Sequence, residues 1–193
     1  YKVCQVLDDY TGREFADSYT DLVAVGLVGD MMNVANMENR SLVNKGIRNI
    51  QSAGIQRILK RAKRDFFYGI SSTDISYTIS PIIGACTRLD KMELALELLT
   101  TSDEDRQDEL AKELIQLNEQ RKKEQKEIIE RVVKNVDSSN NIVILIDNSI
   151  DAGFRGLIAT ELVARYGKPA FVLQELTNYQ GEVESYGGSA RGV

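Results

Sequence analysis

An α/β protein of two lobes joined by one long helix is the architecture this sequence predicts, and three observations carry the prediction. The stretch from Ser102 to Val136 (SDEDRQDELAKELIQLNEQRKKEQKEIIERVVKNV) contains neither Gly nor Pro. Residues 141–173 pass from strand to helix to strand texture. Residues before Thr101 read as short helices around one ambiguous apolar run.

The long polar stretch organises the rest. Asp103, Glu104 and Asp105 follow Ser102, which suits an N-cap and the positive end of a helix dipole. Arg131 and Lys134 suit the other end. Leu110, Leu114 and Leu117 fall at helical spacing, as do Ile128, Ile129, Val132 and Val133. Between them, Asn118 to Glu127 has no apolar residue on any face. A helix polar all round in its middle and apolar at both ends packs at its ends and crosses solvent between them. A helix of this length spans roughly 50 Å, more than one small domain is wide. A coiled coil ranks second, because the a/d pattern lapses for over a heptad. The expected division is 1–101, 102–136 and 137–193.

Composition narrows the chemistry. A chain of 193 residues is one domain or one and a half. No run approaches the roughly 18 apolar residues of a membrane span, and no signal-peptide pattern opens the chain. A cytoplasmic protein without a membrane partner is expected. Cys4 and Cys86 are too few and too far apart for a disulfide framework or a zinc site. The count of zero His excludes Ser-His and Cys-His nucleophile systems and His-ligated zinc within the chain. Catalysis here would need carboxylates and a metal, or groups outside the chain. The net charge of −5 argues against nucleic acid, yet Arg40 to Tyr68 holds eight bases and one acid. Such a run more often marks the solvated face of two helices; an anionic partner is the other meaning.

In chain order, Tyr1 to Leu7 (YKVCQVL) suits a strand. Asp21 to Asp30 (DLVAVGLVGD) is a strand or a buried helix, since periodicity does not separate the two in a short apolar run. It delivers Asp30 to a Gly-flanked edge, where a carboxylate serves as a cap or a metal ligand; spacing alone favours the cap. Glu38 to Gln51 is helical with Leu42, Val43, Ile47 and Ile50 on one side, and Ile55 to Lys63 follows as a second helix. Ser71-Ser72-Thr73-Asp74 starts a helix that Pro81 should kink or end. Asp90 to Glu93 resembles a capping box opening a helix through Leu99, with Leu94, Ala95, Leu98 and Leu99 inward. Beyond the long helix, Asn141 to Ile146 has the length of a buried strand. Gly153 to Tyr166 is amphipathic and stops at Gly167-Lys168-Pro169, and Ala170 to Leu173 is the next strand. This is a βαβ unit with a parallel sheet. Tyr186 to Gly192 (YGGSARG) offers amides, a hydroxyl and a guanidinium to an anion such as phosphate, although such a run is more often a turn or linker.

In that order the pieces resemble the RecJ family, single-strand-specific DNA exonucleases of the DHH (Asp-His-His) phosphoesterase superfamily. The resemblance runs from about Asp21 to Arg191. It rests on DLVAVGLVGD, on Glu38-Asn39-Arg40, on Ser80-Pro81 leading to Arg88-Leu89, and on LALELL (Leu94 to Leu99). It continues through ELIQLNEQRKKEQ, GFRGLIATELVARYGKPAFVL and GSAR (Gly188 to Arg191). It implies the C-terminal part of a DHH-type catalytic lobe, a connecting helix, and a smaller α/β DNA-binding lobe. It assigns Asp30 to the last metal-binding carboxylate, Arg88 to a catalytic arginine near the scissile phosphate, and Ser189 with Arg191 to a pair gripping the DNA. Gly188 and Arg40 join them as phosphate-binding positions. The implied cofactors are two divalent ions, Mn²⁺ or Mg²⁺, with most ligands outside this chain. The implied reaction is hydrolysis of single-stranded DNA from the 5′ end, in DNA repair and recombination. Single-stranded DNA is the expected partner, with a single-stranded-DNA-binding protein or helicase beside it, and a monomer is expected.

The departures are equally specific. The family's Asp-x-Asp and Asp-His-His motifs are absent, so the chain by itself is expected to be inactive. Gly84 and Thr87 stand where the family has Asn and Gly, Ile150 and Asp151 where it has Trp-His, and Gly192 where it has Ser. Two alternatives follow: a superfamily phosphodiesterase acting on short oligonucleotides or cyclic dinucleotides, and a non-catalytic DNA-binding scaffold. The first lacks here its usual Gly-Gly-Gly-His ending. Retained Asp30 and Arg88 count against the second.

Overall fold

Helices account for the first part of the chain and a small sheet for the last in the computed structural model, which describes residues 1–192. Two compact units meet inside the long helix, residues 1–118 and 119–193.

The first unit is helical among its described residues. Its opening segment is helix α1 (Lys2–Thr11), where the composition of Tyr1 to Leu7 suggested a strand. Val3, Val6, Leu7 and Tyr10 recur at helical spacing, a period that a window ending at Leu7 conceals. Gly12 ends the helix in the left-handed region at φ 66°. A 3₁₀ turn (Ala16–Tyr19) leads into α2 (Thr20–Gly29), so the ambiguous apolar run is a helix.

Helix α3 (Met37–Arg48) is capped by Asn36, whose side chain accepts the Glu38 amide at 2.9 Å. It lies so close to α2 that a Cβ on Gly46 would sit 2.1 Å from the Thr20 carbonyl oxygen. Asp21, only 2 % exposed, accepts the amides of Gln51 at 2.8 Å and Ser52 at 2.6 Å. One buried carboxylate therefore fixes the link between α3 and α4 (Ala53–Arg61). Ser52 in turn caps α4.

Ser71 and Asp74 form the reciprocal capping box that starts α5 (Ser72–Asp74). Pro81 does not end this segment. A five-residue π turn (Ile75–Ile79) precedes it, and α6 (Ser80–Arg88) continues with Pro81 in its first turn. The wider turn upstream accommodates the missing proline donor. The expected capping box at Asp90 is absent: Asp90 takes φ 55°, and α7 (Met92–Thr100) starts without a side-chain cap. Ala95 and Leu98 are buried as expected, with Leu94 and Leu99 packed beside them.

Helix α8 (Glu104–Val132) is shorter than the polar stretch at both ends. Its start is set by Asp103, whose carboxylate accepts the Arg106 amide at 3.0 Å, rather than by Ser102. Lys134 lies beyond its last turn. Leu110, Ala111, Leu114 and Leu117 bury one stripe with Ile58, Ile82, Cys86 and Leu98. No residue from 119 to 127 is fully buried, Arg121, Glu124 and Gln125 being partly so, and burial resumes at Ile129 and Val132. A second cluster joins Ala24, Ile50, Ile55, Leu59, Ile75 and Ile79.

In the second unit, β1 (Val143–Ile146) pairs in parallel with β2 (Ala170–Thr177) across α9 (Ala152–Tyr166). Gly167 caps α9 at φ 62°. Strand β1 is not buried on both faces. It sits at the end of the order β1-β2-β3, with Val143 and Leu145 inward and Ile144 and Ile146 half exposed. The Gly-rich ending is also not a loop. It is β3 (Val183–Arg191), antiparallel to β2 with Val172 opposite Ser189 and Ala170 opposite Arg191.

Candidate nucleic-acid interface

In the first unit, Asp30 follows α2. Its backbone amide closes the helix on the Gly26 carbonyl at 2.9 Å, while its carboxylate is exposed and has no side-chain partner among the described residues. The cap role thus belongs to the backbone of Asp30, and the carboxylate stays available. Met31 turns the chain sharply at φ 52° directly after it. The next loop is held by its own residues: Asn39 Nδ2 donates to the Asn33 carbonyl at 3.0 Å and Arg40 Nε to the Val34 carbonyl at 3.1 Å. Arg40 therefore braces the loop beside Asp30, its two terminal guanidinium nitrogens having no protein partner among the described residues.

Helix α6 carries two further groups. At its start, the Ser80 hydroxyl is buried without a hydrogen-bond partner among the described residues, and a Cβ on Gly29 would lie 3.0 Å from it. At its end, Arg88 folds back along the helix, Nη1 donating to the Gly84 carbonyl at 2.7 Å. A Cβ at position 84 would come within 2.6 Å of that nitrogen. Glycine at this position is what lets the guanidinium lie there.

A metal would find only part of a site here. Among the described residues no group of three or more His, Cys, Asp or Glu side chains could hold an ion. Asp30 fits as a single hard oxygen ligand, exposed and uncommitted.

In the second unit, the β3 register brings the phosphate-binding candidates together. Ser189 and Arg191, two residues apart, share a face of the strand. That face meets α9 at Gly156, where a Cβ would lie 2.9 Å from Arg191 Nη2 and 3.7 Å from Ser189 Oγ. Gly188 lies against the β2 backbone, with its missing Cβ 2.1 Å from the Val172 carbonyl, so it serves strand packing. Arg155 is not available to a ligand: it is 8 % exposed and its Nε donates to the Ile150 carbonyl at 3.0 Å, with Nη2 on Gln174. Ile150 is fully buried and Asp151 occupies the N-cap position of α9 without a side-chain cap bond.

Beside the start of α9, Asp147 gathers Ser149 (Oγ at 2.5 Å) and Arg131 (Nη2 at 3.1 Å). Burial pushes its carboxyl upward, but the Ser149 hydroxyl and amide and the Arg131 charge outweigh that and hold it below the usual range. This network ties the end of α8 to the β1–α9 loop. Sequence reading missed β3 and the role of Gly156. The composition YGGSARG imitates a turn, and only pairing with β2 shows a strand.

Comparison with known proteins places this arrangement. No family model matches the chain. YorK of the SPbeta prophage of Bacillus subtilis is 22 % identical over the whole chain, which covers 37 % of YorK. The single-stranded-DNA-specific exonuclease RecJ of Thermus thermophilus is 27 % identical over 81 % of the chain, which covers 23 % of that protein. The crystal structure of T. thermophilus RecJ in complex with Mg²⁺ superimposes with a TM-score of 0.78 at 26 % identity, covering 87 % of this chain and 27 % of that one. A second structure of that protein is in complex with Mn²⁺. The chain thus spans well under half the length of these relatives. Over that part of their length, in sequence and in fold, it is similar to the RecJ single-stranded-DNA-specific exonucleases.

Proposed function

We propose that this chain is part of an exonuclease that hydrolyses single-stranded DNA from the 5′ end with two divalent ions, Mn²⁺ or Mg²⁺. The observation that carries the reading is the Ser189–Arg191 pair set against side-chain-free Gly156. A hydroxyl and a guanidinium held side by side against a helix residue without a side chain suit the oxygens of a phosphate. The likeness to RecJ supports the substrate class and the ions, and the family resemblance supports the polarity.

Divalent ions in such a nuclease activate water and stabilise the departing oxygen. Asp30 would supply one carboxylate to them, and the remaining ligands would come from outside the described residues. Ser189 and Arg191 bind and orient the strand, and Arg88, held by Nη1 on the Gly84 carbonyl, offers its remaining guanidinium N–H groups to phosphate. Residues 1–101 and 137–193 act as catalytic and DNA-binding parts on this reading, with 102–136 connecting them. The protein works as a cytoplasmic monomer, with a single-stranded-DNA-binding protein or helicase as companion.

Binding of a 5′-phosphorylated oligothymidylate to this chain tests the DNA contact. Arg191→Ala should weaken it alike for every base sequence, because phosphate contacts carry no sequence information. The affinity should also fall steeply with salt. Unchanged affinity in Arg191→Ala, or a loss confined to one sequence, overturns the role. In the longer polypeptide carrying the upstream motifs, Asp30→Ala should abolish Mn²⁺-dependent nucleotide release with folding intact. Retained release overturns the metal assignment.

A further inference from the structure

The basic run from α4 into the following loop ends in a surface that the nuclease reading does not use. Phe67 and Tyr68 are 83 % and 90 % exposed. Their rings meet edge to face with centroids 5.0 Å apart. Just before them in sequence lie Lys60, Arg61, Lys63 and Arg64. Arg61 approaches Asp108 only at 3.7 Å and Arg64 approaches Asp74 at 3.7 Å. Lys60 and Lys63 have no ion-pair partner among the described residues.

This exposure is built rather than frayed. Lys63 takes φ 56°, and the Arg64 amide returns to the Leu59 carbonyl at 2.9 Å. The Asp65 carboxylate accepts the Phe67 amide at 3.0 Å, the one acid placed inside the run. Phe66 turns inward onto the core cluster. Gly69 bends at φ 90°, and the Ile70 amide bonds the Ile47 carbonyl at 2.7 Å. The loop is thus anchored on both sides, and its anchoring leaves two adjacent aromatic faces in water directly after a basic run.

Two adjacent exposed aromatic rings offer a paired apolar face that a partner can cover. The partner whose chemistry fits has flat apolar faces at short intervals along a negatively charged backbone. Double-stranded DNA hides its base faces in the stack, whereas a single strand offers them. We infer that Lys60, Lys63, Phe67 and Tyr68 form a contact for single-stranded nucleic acid, with bases on the rings and phosphates on the lysines. This assignment stands on the loop's own chemistry and does not depend on the Ser189–Arg191 site.

The sequence contains no Trp, so Tyr68→Trp places one reporter at the contact. Titrating the whole chain with a single-stranded oligothymidylate should quench that fluorescence, with a duplex of equal length quenching much less. Inorganic polyphosphate should bind without quenching. In an Arg191→Ala background, Phe67→Ala with Tyr68→Ala should weaken oligothymidylate binding by about tenfold, since stacking carries the contact. Polyphosphate affinity and the thermal midpoint should not change. Quenching that survives in the Arg191→Ala background keeps the two contacts separate even if the nuclease reading fails. No quenching at saturation overturns the inference, as does parental affinity in the aromatic double variant. Quenching by an acidic peptide or anionic vesicles in place of the oligonucleotide overturns it too.

Discussion

Arg191 reaches across from β3 to Gly156 on α9, where a single added methyl would lie 2.9 Å from its Nη2. The neighbour that must yield is the far end of a flexible side chain, so the helix and strand need not move. That makes Gly156 a position that tunes where the guanidinium sits without bearing on the fold.

Gly156→Ala should therefore separate stability from binding. Replacing an interior helical Gly by Ala favours the helix by about 1 kcal/mol, so the thermal midpoint should hold or rise. Oligonucleotide affinity should fall about tenfold, roughly 1.4 kcal/mol, as Arg191 is displaced. Parallel melting and titration of the variant check both halves.

Gly84→Ala makes the same test on α6. Its Cβ would stand 2.6 Å from Arg88 Nη1 and expel the guanidinium from the Gly84 carbonyl. Helix propensity offsets the lost hydrogen bond, so stability should change by no more than about 1 kcal/mol. The Nε–H resonance of Arg88 should shift markedly in an NMR spectrum of the variant. A resonance that does not move would show that the contact does not hold the side chain.

Asp21→Ala removes the acceptor of the Gln51 and Ser52 amides. Leaving two such donors without a partner should cost on the order of 3 kcal/mol, read as a lower denaturant midpoint with an unchanged slope. Asp21→Asn keeps one oxygen and should lose less.

The Ser71–Asp74 box gives a pH dependence. The Ser71 hydroxyl first, then the Ser71 amide, hold the Asp74 carboxyl below its ordinary 3.8, against a burial effect and with help from Arg64. A carboxyl depressed on folding stabilises fully above its unfolded value, and that contribution disappears as pH falls through the folded value. Ser71→Ala should cost about 1 kcal/mol at neutral pH. The gap between variant and parent should narrow as pH falls below 3.8. Urea midpoints at neutral and acid pH give the comparison.

Much of this was legible in the residues themselves. The capping box at Ser71 and the stop at Gly167 are local signals that local hydrogen bonding decides, and the βαβ texture of residues 141–173 is a local pattern of side chains. The same holds for the bare polar middle of α8, since side-chain chemistry fixes which turns can be buried. Local reading failed where its window was cut too short or a neighbouring residue took the expected role. Tyr1 to Leu7 is helical because its stripe continues to Tyr10, and Asp103 rather than Ser102 meets the free amide of Arg106.

The candidate site divides in the same way. Asp30, Arg88, Ser189 and Arg191 are singled out by the resemblance to the RecJ family, whereas spacing alone favours a cap at Asp30 and a turn or linker at YGGSARG. Only tertiary structure decides that YGGSARG is a strand, because its amides and carbonyls find partners on the preceding strand β2 and not within the run itself. Only tertiary structure sets Arg191 over Gly156, because that approach depends on the β3 register and the packing of α9. Side-chain chemistry is written residue by residue, whereas which side chains meet depends on backbone pairing between segments that the sequence keeps apart.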